Sequence, residues 1–187
     1  MKEIMEWVKD ILLAVVIAAV ILAFFKPIIV QQQSMEPNFH AGDYLITSRQ
    51  AYRLFGDPQR GDVIVFKSEL LDENEKPKNL IKRIIALPGE TIEIKGGEVY
   101  IDGAQLREDY LPGEAISGEM DAVTVPEGQL FVMGDNREYS EDSRSPRVGT
   151  IEQSTIVGKV IVRLYPFNSI KMFQLCGLRR FIMCYDS

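Results

Sequence analysis

The sequence predicts a mainly β protein carried on one N-terminal transmembrane helix. An unbroken apolar run lies near the N-terminus, and short β-branched runs bounded by Gly and Pro follow it. Long amphipathic helical patterns are absent after residue 30. A length of 187 residues suffices for a domain with a sizeable core. With 26% charged and 46% apolar residues, a disordered chain and a polytopic membrane protein are both excluded. A net charge of −6 argues against a nucleic-acid partner.

Residues 11–25 carry no polar side chain. Fifteen helical residues span about 22 Å, but the 20 residues from Trp7 through Lys26 reach about 30 Å, the thickness of a bilayer core. Trp7 suits the interface, and Lys9 and Lys26 can snorkel. We place the anchor at 8–26, with 1–7 as a short N-terminal flank and 27–187 as the body. A cleaved signal peptide is the rival, but the small-x-small cleavage site is missing after the run. A buried core helix would keep some polar face. Lys2 and Lys9 on one flank, against Lys26 alone before Arg49 on the other, favour a cytoplasmic N-terminus.

The body reads as strands. Gly42–Ser48, Asp62–Lys67, Leu80–Leu87, Gln129–Met133 and Thr155–Leu164 are β-branched or aromatic runs. Thr91–Lys95 alternates with period two, turns at Gly96-Gly97 and returns as Glu98–Ile101, a hairpin signature. Asp102-Gly103 turns again. Residues 68–79 read as a solvated loop. Residues 96–122 read as a β-ribbon excursion, and 103–122, with five acids, offer it little core of its own.

Three segments hold candidate chemistry. Ser34 follows the anchor closely, but a serine needs a base to become a nucleophile, and alone it reads as a turn residue. Lys82 opens an apolar strand, where desolvation lowers a lysine pKa and frees an amine to take a proton; a strand-end lysine reaching solvent is the plainer alternative. Residues 134–144 hold two Arg, four acids and two Ser, either a polar turn or a frame that orients other groups. A single histidine, His40, excludes multi-histidine metal sites, so no metal or cofactor is expected. Cys176 and Cys184 exclude a four-cysteine site; whether they pair is open.

Four boxes in order, behind an anchor, resemble the type I signal peptidases, membrane-anchored serine proteases that remove signal peptides from exported proteins. They are Ser34-Met35-Glu36-Pro37-Asn38, Arg60–Phe66, Lys82-Arg83 with Pro88-Gly89, and Gly134–Arg144, and the likeness spans about residues 8–165. The resemblance implies a mainly β catalytic domain with a smaller β-ribbon excursion, Ser34 as nucleophile and Lys82 as general base. It further implies that Ser140 hydrogen-bonds the lysine, that Asp142 and Arg144 hold the site together, and that Met35 lies at the substrate pocket. The oxyanion donors would be the Ser34 backbone N–H and, at a position often Ser or Gly in the family, the Gln32 side chain. Asn38 replaces the family threonine, a change in a turn expected to do little. Cleavage after small residues at −1 and −3 through an acyl-enzyme, preproteins and a lipid bilayer as partners, a monomer, and a plasma-membrane enzyme with its body outside complete the implied picture. A triad through His40 lacks a Gly-x-Ser-x-Gly elbow. Self-cleaving repressor-type proteases share a Ser-Lys pair but are soluble. A non-enzymatic anchored β-module is the remaining alternative, and Ser34→Ala separates it from an enzyme.

Overall fold

The computed structural model describes residues 2–173 except 55, 112, 114, 115 and 117. The chain opens with helix α1 (Lys2–Phe24), whose stretch Ile4–Phe24 is exposed throughout and long and apolar enough to cross a membrane. Its 21 residues reach about 32 Å. The helix stops at Phe24, so Phe25 and Lys26, counted with the anchor in the sequence, instead begin a strand. Pro27 explains the stop: the residue before a proline disfavours helix, and proline itself has no N–H to continue it.

Twelve strands follow: β1 (Phe25–Ile29), β2 (Tyr44–Ser48), β3 (Val63–Leu71), β4 (Pro77–Ala86), β5 (Thr91–Lys95), β6 (Glu98–Ile101), β7 (Ala104–Gln105), β8 (Met120–Thr124), β9 (Gln129–Met133), β10 (Ile151–Glu152), β11 (Ile156–Tyr165) and β12 (Lys171–Met172). The only α-helix among the described residues after α1 is the single turn α2 (Ala51–Leu54). The large sheet runs β1-β2-β11-β3-β4-β9-β10 with β12 on β11, and the small sheet runs β7-β6-β5-β8. The pairings are antiparallel.

Both faces of the large sheet are covered. Along β3, Val63 and Val65 pack with Met35, Phe39, Leu45 and Val160, while Ile64 and Phe66 pack on the opposite side with Leu80, Ile84 and Val132. The small sheet buries Ile92, Ile94, Val99 and Ile101 against Ile85, Phe131 and Met133 of the large one. Two expectations change here. Residues 68–79 are not one loop: β3 and β4 continue as a ladder to Lys67↔Asn79 and Leu71↔Pro77 around a tight turn at Asp72–Lys76. Charged residues alternating on an exposed ribbon hide its strand character. The segment 103–122 does contribute core, because Ile116 is buried and Leu106, Tyr110 and Met120 pack beside it. Cys176 and Cys184 lie outside the described residues.

Candidate active site

Three segments meet where β4 gains its second neighbour. Up to Lys82, β4 pairs only with β3, as in Ile64↔Lys82; from Arg83↔Met133 onward β9 joins on the other side. The loop 134–144 therefore leaves the end of β9 beside the lysine. The turn from Ser34 to Phe39, closed by the Phe39 N–H on the Met35 carbonyl, comes in from β1. The Asn136 N–H grips the Ser34 carbonyl at 3.1 Å and the Asn136 side chain grips that of Gln33 at 3.2 Å.

Ser34 Oγ and Lys82 Nζ lie 2.7 Å apart, and both residues are buried. Burial lowers the Lys82 ammonium to a pKa of about 8; Asp142, Asp135 and Glu141 oppose the shift, and Arg144 assists it. Asp142 is enclosed, and burial disfavours its charge. The two Arg144 hydrogen bonds, at 2.8 and 2.9 Å, with the Arg144 charge and the Gly134 N–H, outweigh that and hold its carboxyl below the usual range. Such a pair can move a proton between a hydroxyl and an amine at neutral pH.

Ser140 differs from its implied role. Its Oγ is buried and makes no hydrogen bond, to Lys82 or to any other described residue. Its hydroxyl still favours the ionised form of the Asp142 carboxylate. Gly134 is what lets Ser140 come so near: a Cβ there would stand 2.2 Å from Ser140 Oγ and 2.3 Å from the Ser34 carbonyl.

Met35 follows Ser34 in the turn and is fully buried in the core with Phe39 and Leu45. Gln32 is exposed and lines a groove of about 400 Å³ between residues 26–32 and residues 77–81. Asn38 is no idle turn residue: its side-chain amide reaches the Tyr110 carbonyl and the Asp135 carboxylate. His40 is exposed, and the basic side chain on Ser34 Oγ is that of Lys82.

A buried ion pair missed in the sequence completes the frame. Arg83 donates twice to Asp135, at 2.8 and 2.6 Å, and once to the Gly61 carbonyl, while its guanidinium lies 4.0 Å from the Tyr110 ring centre. The paired charges satisfy each other where neither could stay alone. Lys159 likewise meets Asp62 at 2.6 Å, with the Tyr52 hydroxyl on the same carboxylate. Among the described residues, no group of His, Cys, Asp and Glu side chains is arranged to hold a metal ion.

A buried serine against a buried lysine on an antiparallel β-scaffold is an arrangement that suits hydrolysis. The chain belongs to the signal peptidase family, peptidase S26, whose family model matches residues 4–165. It is a serine peptidase. It is similar to "Signal peptidase I" of Bacillus licheniformis, 38% identical over 180 residues that cover 91% of this chain and 93% of that one. It is likewise similar to "Probable signal peptidase I-1" of Synechocystis sp., 40% identical over 169 residues covering 86% and 84%. The crystal structure of a signal peptidase I from Enterococcus faecalis V583 matches with TM-score 0.47 and 36% identity, covering 56% of this chain and 97% of that one. The N-terminal apolar helix fits a membrane-anchored enzyme of this family.

Proposed function

We propose that Ser34 is the nucleophile and Lys82 the general base of an endopeptidase that removes signal peptides from secretory preproteins. The observation that carries this reading is the 2.7 Å approach of Lys82 Nζ to Ser34 Oγ in a buried site, with the ammonium pKa lowered to about 8. Neutral Lys82 takes the hydroxyl proton as Oγ attacks the scissile carbonyl. Lys82 then hands that proton to the leaving amine, which belongs to the mature protein, and an acyl-enzyme on Ser34 remains. The same amine next takes a proton from water as the water oxygen attacks the acyl carbonyl, and returns it to Ser34 Oγ as the ester bond breaks and the signal peptide leaves with a free carboxyl end.

The oxyanion donor in this scheme is the Ser34 N–H, which no acceptor takes among the described residues. Gln32, exposed in the groove, stands close enough in sequence to add its amide when a peptide binds. The peptide lies extended in the groove. β1 is the outer strand of its sheet, and residues 77–82 of β4 lack a partner on the β9 side, so both present free backbone groups to a third strand. Small residues at −1 and −3 are the cleavage preference that the resemblance to the signal peptidases implies.

α1 is the anchor, with the N-terminus cytoplasmic and the β body on the extracytoplasmic face of the plasma membrane. Exposed Phe25 and Ile29 on β1, and the edge-to-face rings of Tyr44, Tyr165 and Phe167, suit a lipid interface. One chain holds all the named site residues, which supports a monomer. Incubating the detergent-solubilised protein with a preprotein, and sequencing the new N-terminus, tests the reading. A new terminus after a small residue is expected, absent with Ser34→Ala. Equal cleavage by Ser34→Ala would overturn it.

A further inference from the structure

Asn38 lies four residues beyond Ser34, at the far side of the same turn. Its Nδ2 donates to the Tyr110 carbonyl at 2.8 Å and to Asp135 Oδ2 at 2.9 Å, so both amide protons are used. Its own carbonyl accepts Arg163 Nη1 at 2.6 Å. Asp135 has no exposed side-chain surface and accepts both Arg83 bonds, and Arg83 directly follows Lys82. Asp135 also precedes Asn136, whose N–H holds the Ser34 carbonyl. The contacts thus close a circuit from Ser34 through its turn to Asn38, across to Asp135 and Arg83, and back along β4 to Lys82.

A second branch reaches the same place from the small sheet. The Tyr110 ring lies under Arg83, and its hydroxyl bonds Glu108. Glu108 accepts two bonds from Arg137, at 2.8 and 2.6 Å, and Arg137 Nε returns to the Gly134 carbonyl at 3.1 Å. The segment 106–111 is therefore strapped to both the nucleophile turn and the loop 134–144.

We propose that Asn38 is a positioning residue, the clip through which this strap sets the distance between the nucleophile and the base. The inference rests on the Ser34–Lys82 reading above. Two acceptors converge on one side chain, and only a side chain with two short, divergent N–H groups serves both. A threonine, the residue in the family box that this segment resembles, has one hydroxyl proton and can serve only one of them. An aspartate has the same shape, donates nothing when ionised, and brings a second carboxylate against Asp135. Releasing the clip lets the Ser34 turn drift while the groove, built by residues 26–32 and 77–81, stays in place. Small misplacements of reacting groups are expensive: about 1 Å can cost about a hundredfold in rate.

The test compares the parent with Asn38→Ala, Asn38→Thr, Asn38→Asp and Ser34→Ala in the full-length, detergent-solubilised enzyme. Cleavage of a soluble signal-peptide substrate is measured well below each variant's Tm. We expect kcat to fall about tenfold or more in Asn38→Ala, with KM nearly unchanged. Asn38→Thr should recover part of that loss, Asn38→Asp none of it, and the rising limb of the rate–pH profile should stay near the parent's pH. If Asn38→Asp does not fold, the alanine and threonine variants decide the matter. A parental kcat in Asn38→Ala, or a change confined to KM or Tm, overturns the positioning role while an inactive Ser34→Ala leaves the nucleophile assignment standing. Activity in Ser34→Ala would bring down both.

Discussion

An ordinary lysine titrates near 10.4, so at pH 7 only about one molecule in two thousand carries a free amine. With its pKa lowered to about 8, Lys82 carries one in about a tenth of the molecules. That gain is paid for in stability. The shift from 10.5 to about 8 corresponds to about 3 kcal/mol against the folded state wherever both states hold the proton. The sign follows from proton counts: between about pH 8 and 10.5 the unfolded chain binds more protons, so stability rises with pH across that window and the full penalty stands below it. Lys82→Met should therefore be inactive yet melt higher than the parent at pH 7, and calorimetry at pH 7 and 10 should show the advantage shrink. Asp142 works the other way, since its lowered carboxyl stabilises the fold above its unfolded value and loses that contribution in acid. Ser34→Ala and Lys82→Ala should each abolish processing, and the double variant should be little worse, because the two act as one unit. Strictly multiplicative losses would contradict that. Ser140→Ala should change Tm little, since the hydroxyl it removes is buried without a hydrogen-bond partner and the support it lends the Asp142 charge is small beside that of Arg144. A clear fall in Tm would show a hydrogen bond there after all.

At the scale of elements, the site depends on backbone approach as much as on side chains. Gly134 admits Ser140 and the Ser34 carbonyl into space that a Cβ would fill. Gly134→Ala should cost about 1–3 kcal/mol of stability by overpacking and displace Ser34 from Lys82, with urea midpoint and kcat both falling. A parental enzyme with alanine there would mean that the loop 134–144 yields easily. Much of this was legible beforehand. Periodicity located the cores of β2, β3, β5, β6, β9 and β11, and the four boxes carried Ser34, Lys82, Asp142 and Arg144 into one neighbourhood. The ribbon of residues 68–79 was not legible, because its outward side chains are charged and its pairing comes from β3 meeting β4 across a turn. β1 was hidden by merging with the apolar anchor. The Arg83–Asp135 pair and the two bonds of Asn38 span 52, 97 and 72 residues, and no local pattern announces contacts of that range. Arg83 and Asp135 did stand inside the boxes, beside the residues singled out. Met35 sits next to Ser34 in sequence, and its side chain turns into the core.

For the whole molecule, α1 makes few contacts with the β body beyond its junction with β1. A chain beginning at Phe25 keeps all of β1, including the Lys26 carbonyl that accepts the Thr47 hydroxyl. It should fold, cleave a soluble peptide at a rate close to the full-length enzyme's, and lose efficiency on preproteins in vesicles, where a shared membrane raises local concentration. Failure on the soluble peptide, with the fold intact by circular dichroism, would give the helix a part in the chemistry. A neutral Lys82 activating Ser34 would show in the pH dependence of kcat/KM on a soluble peptide. That parameter reports the free enzyme's ionisations. A rising limb is expected, centred near pH 8, where the buried amine loses its proton. A flat profile from about pH 6 to 10, or a limb centred near the 10.4 of an ordinary lysine, would contradict it.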